Sequence, residues 1–156
     1  NLTLDLSRAQ LQFPGGSSRD NVHVQMLNAN ELPFRATPAA IPAWMYAVQP
    51  SGVKVEGEVG IRIAMPRLYG SLDYLPPAGT RVAMLGFNPN SKHIEVIGVG
   101  KIDNQQVKSH GKLPLQTLDY IGYAFVKDAA QSVLKRYEQG EISSLGLLRS
   151  ELEGVN

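Results

Sequence analysis

The side chains best suited to metal binding or acid–base chemistry, the histidines, are few and far apart. The chain has three, His23, His93 and His110. None belongs to an H-E-x-x-H or His-x-His pattern, which would bring two imidazoles onto one metal ion. His23 alternates with apolar neighbours and is expected to face solvent, whereas His93 is expected in a hairpin loop. The sequence therefore predicts no metal site.

Hydrolytic chemistry also lacks its usual sequence patterns. There is no G-x-S-x-G elbow, and Ser109 and His110 are adjacent, an arrangement in which a nucleophile and its base seldom face each other. Asp73 and Asp119 each lie in a Leu-Asp-Tyr tripeptide. Their carboxylates could form the catalytic pair of a glycosidase, or each tripeptide could be a turn with a packed aromatic ring. The absence of cysteine excludes thiol catalysis and Cys-ligated zinc. We expect a protein that is not an enzyme.

Charge and glycine patterns restrict the possible ligands further. Fifteen Lys and Arg balance 14 Asp and Glu without a run of like charge, so nucleic acid is not an expected partner. No stretch reaches the roughly 20 apolar residues of a membrane span. Gly98 and Gly100 lie inside a strand-like run and no nucleotide-binding glycine pattern follows a strand, so no cofactor is expected.

Aromatic residues supply a candidate binding surface. Trp44 and Tyr46 lie in a long, proline-rich segment, residues 33–46, and loops that carry Trp and Tyr are common anchors for partners. Together with Tyr69 and Tyr74 they are candidates for a platform on which a sugar ring stacks. The alternative for Trp44, which we favour, is that it fills the core.

Most of the chain has the distribution of proline and glycine that is typical of a β-protein. Residues 1–126 contain all ten prolines and 12 of the 15 glycines, between short runs rich in Val, Ile and Leu. Such spacing is typical of sandwiches and barrels. Residues 2–6 and 22–26 alternate apolar and polar side chains, which predicts strands with one buried face. We predict an all-β domain, an antiparallel β-sandwich, over residues 1–126, with a helical tail over residues 127–156.

The tail has helical periodicity and divides at Gly140. It contains no proline, and its apolar residues recur at spacings of three and four. Two interpretations stay open: these residues pack on the sandwich, or they dock on a partner or on the next part of a longer chain. The candidate partner-binding residues are Val133, Leu134, Tyr137, Leu145, Leu148 and Leu152.

Several segments follow one another in an order that resembles a known domain family. Pro50, Gly52 and Val55 stand at the positions of a P-x-G-x-x-F hinge, before a strand that ends in Pro66. The segments that carry the pattern are 12–16 (QFPGG), 22–26 (VHVQM), 48–55 (VQPSGVKV), 59–66 (VGIRIAMP), 75–82 (LPPAGTRV), 86–89 (GFNP) and 95–100 (EVIGVG). This resembles the β-sandwich domain named for zonula occludens proteins and uncoordinated-type netrin receptors, which also occurs in ankyrins and in bacterial surface proteins.

The resemblance implies that the chain binds other proteins or spaces other domains. Some members cut their own backbone at a His-Phe-Ser sequence near the last strand. The corresponding stretch here, residues 122–126 (GYAFV), has no serine after Phe125 and no histidine to assist it. Self-cleavage is therefore not expected.

Taken together, the patterns predict a non-catalytic structural or protein-interaction module. We expect it outside the cytoplasm, at the cell surface, secreted or periplasmic, with the tail mediating docking on a protein partner or self-association. The start at Asn1 rather than Met suggests a processed protein or a fragment. Two alternatives are a carbohydrate-binding domain and a filament or surface-layer subunit in which an edge strand such as residues 2–6 pairs with a neighbour.

Overall fold

The structure of the protein is a computed structural model that describes residues 2–16, 18, 22–27, 40–65 and 76–155. The strands within these ranges are β1 (Leu2–Asp5), β2 (Ala9–Gln12), β3 (His23–Leu27), β4 (Ala40–Gln49), β5 (Lys54–Gly57), β6 (Gly60–Ala64), β7 (Arg81–Asn88), β8 (His93–Asp103), β9 (Gln106–Ser109) and β10 (Tyr120–Val126). The helices are α1 (Asp128–Glu138) and α2 (Leu145–Glu153). No helix among these residues is long and apolar enough to cross a membrane.

Eight of the strands form one antiparallel sheet in the order β1-β6-β9-β8-β7-β10-β4-β3, and β2 pairs with β5 in a separate ribbon. The expectation of a β-rich antiparallel fold with two C-terminal helices is confirmed. Because the described strands form one sheet of eight strands and one of two, the finer prediction of a β-sandwich is not confirmed. Strand β2 lies where the sequence predicted no strand. Strand β5 lies where the sequence predicted a hinge.

The sheet curls around an inner core. Leucines of β1, at one end of the sheet, pack against the same buried cluster as Tyr46 and Val48 of β4, near the other end. The ribbon covers part of this cluster with Leu11 and Val55. The buried members of the inner core are Tyr46, Val48, Val53, Val59, Ile61, Ile63, Val82, Met84, Ile97, Ile102, Val107, Leu113, Leu115, Leu118, Ile121 and Tyr123.

An outer core lies on the other face of the central strands, beneath both helices. Because β7 is covered on both faces, it presents Val82 and Met84 to the inner core and Ala83 and Leu85 to the outer core. Its sequence is therefore a continuous apolar run rather than an alternation. The buried members of the outer core are Met45, Ala83, Leu85, Ile94, Val96, Val99, Ala124, Ala130, Val133, Leu134, Ile142, Leu148 and Leu152.

The end of α1 and the start of α2 each coincide with a residue whose type favours that position. Gly140 has φ +83°, a left-handed conformation that favours glycine, and follows the last turn of α1. The break predicted at Gly140 is thereby explained. Helix α2 starts after Ser144, whose hydroxyl accepts a hydrogen bond from the Leu147 amide at 3.2 Å.

Candidate functional site

The apolar stripe of the tail faces the sheet of its own chain. Val133 and Leu134 of α1, and Leu148 and Leu152 of α2, are buried in the outer core. Tyr137 and Leu145 are partly buried at the margin of that core. The sheet therefore occupies the surface that these residues would offer to a partner.

Polar contacts also tie the helices to the sheet. The Gln131 side chain donates to the Arg81 carbonyl at 2.8 Å and accepts from the Arg81 amide at 3.1 Å. The Arg149 guanidinium donates to the Val96 carbonyl at 2.9 Å. Because such paired contacts fix both position and orientation, the tail is held to the sheet by more than apolar burial.

Glu138, at the end of α1, forms the most enclosed ion-pair cluster among the described residues. Its carboxylate lies 2.7 Å from the Arg81 guanidinium and 2.7 Å from the Lys101 ammonium. Burial raises the pKa of Glu138, but hydrogen bonds from the two cations outweigh this effect and leave the pKa below its ordinary value. The carboxylate is therefore charged at neutral pH and neutralises part of the surface beside it.

The proposed aromatic platform is not open to a ligand at Tyr46. Tyr46 is 4% exposed and belongs to the inner core, and the Trp44 ring meets it edge-on with centroids 6.5 Å apart. Trp44 packs against the same core and its indole Nε1, buried, has no hydrogen-bond partner among the described residues. Tyr69 and Tyr74 lie outside the described residues.

The residues considered for catalysis serve local structure. The Ser109 hydroxyl donates to the Gly111 carbonyl at 2.9 Å and accepts from the Ile61 amide at 3.0 Å. The Asp119 carboxylate accepts from the Ser51 hydroxyl and the Gly52 amide, which closes the turn at residues 50–52. Asp73 lies outside the described residues. His23 is exposed, as predicted, whereas His93, expected in a hairpin loop, is exposed as the first residue of β8.

In the described part of the chain, no three His, Cys, Asp or Glu side chains are grouped so that they could hold a metal ion.

The two ends of the sheet differ in character. At one end, β1 pairs with β6 and carries Asp5, which forms an ion pair with Lys112. Hydrogen bonds from Lys112 and Ser7 hold the pKa of Asp5 well below its usual range. Strand β1 lies at an edge of the sheet, as expected for residues 2–6. This edge carries charged side chains, which discourage the addition of another strand.

At the other end, β3 pairs with β4 and presents apolar side chains to solvent. Val24 and Met26 are 49% and 58% exposed, although they lie opposite Val48 and Tyr46, which are buried. The alternation in residues 22–26 led us to expect a buried face. Of this face, Val22 alone packs against the inner core.

Strand β3 is thus the candidate site that the sequence did not identify. Its apolar alternation was the available signal, and it was interpreted as core because periodicity reveals an apolar face without revealing what covers it. Within the described residues no strand pairs with the outer edge of β3. Its backbone is consequently in the position of an unpaired edge strand.

Comparison with known proteins found no match to a family model, to a curated protein or to a solved structure. The similarity to the β-sandwich family of surface proteins and receptors therefore stays a prediction from the sequence pattern.

Proposed function

We propose that this chain is a non-catalytic, extracytoplasmic structural module that associates with a second copy of itself through the edge strand β3. The observation that carries the proposal is the pair of half-exposed side chains, Val24 and Met26, on a strand at the end of the sheet. We also propose that the curled sheet and the two-stranded ribbon enclose the inner core in the manner of a β-sandwich.

An edge strand favours association for two physical reasons. Its outward N–H and C=O groups are satisfied by water and can pair instead with another strand. Apolar side chains on the same strand gain free energy when a partner covers them, at about 25 cal/mol per Å² of area removed from water. Both contributions are available at β3, whose five residues include no Asp, Glu, Lys or Arg that would oppose pairing.

A second copy is the simplest occupant, because two identical β3 strands can pair antiparallel about a two-fold axis. In such an isologous contact Val24 and Met26 of one chain would cover those of the other. Pairing of β3 with β1 of another copy would instead extend the sheet indefinitely and yield a filament. We favour the β3–β3 contact because β1 carries the Asp5–Lys112 ion pair at its end.

The experiment is sedimentation velocity of the full chain over a range of concentrations, with two variants. Met26→Lys places a charge in the proposed interface and is expected to yield monomers at concentrations where the unaltered chain associates. Leu147→Lys is the matched control, since Leu147 is 53% exposed on α2, far along the chain from β3. It should associate like the unaltered chain.

Equal masses for the unaltered chain and the Met26→Lys variant at every concentration would overturn the proposal, provided that circular dichroism shows both to be folded. Large, open-ended assemblies that the same variant abolishes would support β3 as the contact but identify a filament. Loss of association in the Leu147→Lys variant alone would place the contact on α2 and contradict the proposal.

The absence of catalysis in this proposal is supported by the structural hydrogen bonds of Ser109 and Asp119. Turnover in a broad hydrolase screen that disappears in an Asp119→Asn variant with unchanged stability would contradict it. The carbohydrate-binding alternative receives less support, because Tyr46 is enclosed in the inner core.

A further inference from the structure

Cationic side chains stand side by side on adjacent strands of the sheet. Arg62 of β6 is the direct cross-strand neighbour of Lys108 of β9, and Lys108 is in turn the neighbour of Lys101 of β8. Lys101 then faces Arg81 of β7. We call these residues, Arg62, Lys108, Lys101 and Arg81, the basic row.

The basic row lies on the face of the sheet away from the inner core. Ile61 and Ile63, on either side of Arg62 in the chain, are buried in the inner core, so Arg62 points to the opposite face. Val107 is likewise buried while Lys108 is exposed. Each of these cations is isolated in sequence, and strand register alone brings them together.

Such a row is unfavourable for the folded chain by itself. Directly opposite residues of antiparallel strands have Cβ atoms about 4.5–5.5 Å apart, and like charges at that position destabilise the pair. Glu138 offsets the repulsion at one end, where it contacts Arg81 and Lys101. At the other end, Arg62 and Lys108 form no ion pair and no side-chain hydrogen bond with any described residue.

A cavity of about 320 Å³ lies over the uncompensated end of the row. Its lining includes Arg62, Lys108 and Thr3, and Thr3 is the direct cross-strand neighbour of Arg62 on β1. Lys112 and Asp5 also line the cavity, and because the Lys112 ammonium and the Asp5 carboxylate form an ion pair with each other, their charges offset. The volume is near the lower limit of small-molecule sites, roughly 300–1,000 Å³, so it suits a small anion or one small polar group rather than a polymer.

We propose that this cavity binds a phosphate group, either as inorganic phosphate or as the monoester of a small molecule, between Arg62 and Lys108. A phosphate group carries about −1.5 to −2 charges at neutral pH, which matches two cations that pair with no carboxylate in the described part of the chain. The guanidinium of Arg62 can donate two parallel hydrogen bonds to phosphate oxygens, and Lys108 contributes a point charge. A carboxylate, with one negative charge, would leave part of the repulsion in place.

The test is a titration of the ¹⁵N-labelled full chain with inorganic phosphate at neutral pH and low salt, followed by amide chemical shifts. We expect saturable shifts confined to residues 60–63 and 107–112. Arg62→Gln and Lys108→Gln should each weaken binding by roughly tenfold or more, because each removes a charge-assisted hydrogen-bond donor. Lys127→Gln, which removes an exposed cation just before α1, is the matched control and should bind like the unaltered chain.

Two further arms distinguish the source of the group and its chemistry. A hexose monophosphate that binds more tightly than inorganic phosphate, with the same variant dependence, identifies an ester as the ligand. Equal affinities identify the free ion, and acetate should bind more weakly than either. Because Arg62 and Lys108 are exposed, the variants are expected to fold, and their amide spectra verify this.

The proposal is overturned if phosphate shifts amides near Lys127 as much as those near Lys108, or if both substitutions leave the affinity unchanged. Either result would indicate an adventitious ion only. Arg62→Lys keeps the charge but removes the planar fork, and affinity intermediate between the unaltered chain and Arg62→Gln would support bidentate recognition. These experiments do not depend on β3, so they and the association experiments can fail separately.

Discussion

In the middle of the sheet, helices α1 and α2 cover β7 and β8, and little there is left without a partner. The apolar residues of the helices are buried in the outer core, and Glu138 neutralises Arg81 and Lys101. The helices leave the ends of the sheet uncovered, and apolar and cationic residues there are exposed to solvent. Val24 and Met26 are half exposed on β3, and Arg62 of β6 and Lys108 of β9 have no anionic partner among the described residues.

The difference between the covered and the uncovered regions shows where an interaction partner could gain free energy. A ligand or a second chain gains little by contacting groups that are already satisfied, since it would first have to displace their present partners. It gains most from apolar area still in contact with water and from charges that still repel each other. The proposed association strand and the proposed phosphate site therefore both lie towards the ends of the sheet.

The largest expected effect concerns the covered apolar stripe. Leu148 is fully buried and its neighbour Leu147 is exposed, so the two leucines form a matched pair on one helix. Leu148→Ala should lower the free energy of unfolding by about 2–5 kcal/mol, because it removes buried methyl groups and leaves a cavity. Leu147→Ala should change it by less than about 0.5 kcal/mol. Urea denaturation measures both.

Equal effects of these two substitutions would contradict the placement of the tail on the sheet. At the uncovered end, Met26→Ala should change the free energy of unfolding of the monomer as little as Leu147→Ala does, since the Met26 side chain is largely in water.

The next largest effect concerns the covered charges. Glu138→Gln leaves Arg81 and Lys101 side by side without a carboxylate, and the side chain it alters is only 12% exposed. We expect a loss of about 1–3 kcal/mol at neutral pH. Denaturation of both proteins in parallel measures it.

The pH dependence of this difference has a definite sign. The pKa of Glu138 in the folded chain lies below its ordinary value of 4.5, so the carboxylate contributes its full stabilisation above that value. The contribution is lost as the pH falls through the folded-state pKa. The stability difference between the unaltered chain and Glu138→Gln should therefore shrink in acid, and a difference that grows in acid would contradict the ion-pair account.

The smallest expected effect concerns the uncovered charges. Lys108→Gln removes a cation from between Arg62 and Lys101, so it should raise the free energy of unfolding slightly, by about 0.2–0.5 kcal/mol at low salt. The gain should disappear near 1 M salt, where screening acts over about 3 Å. Thermal unfolding at two salt concentrations measures it, and a clear destabilisation would show that Lys108 has a stabilising partner.

The sequence predicted the architecture where local signals and burial agreed. The break that was predicted at Gly140 follows from a local backbone preference, which a short window of sequence contains. Strand β5 was missed because residues 54–57 alternate charged and small side chains around a single Val55, and the strand is stabilised mainly by its pairing with β2.

The candidate sites were less accessible to sequence analysis, for a physical reason. Apolar periodicity was the same kind of signal in the tail and in β3, yet the tail stripe is covered and β3 is open, because coverage depends on distant parts of the chain. The basic row combines single cations from β6, β7, β8 and β9. Only the pairing register, which is not a local property, places them next to one another.

The central claim, that β3 is the open edge through which the chain associates, is tested most directly by hydrogen exchange as a function of protein concentration. If the claim is correct, the amides of His23–Leu27 become more protected as the concentration rises, while those of Leu2–Asp5, at the opposite edge, do not change. Protection of both edges together would indicate β3–β1 pairing into a filament. Exchange at β3 that is independent of concentration, in a range where the chain is seen to associate, would contradict the account.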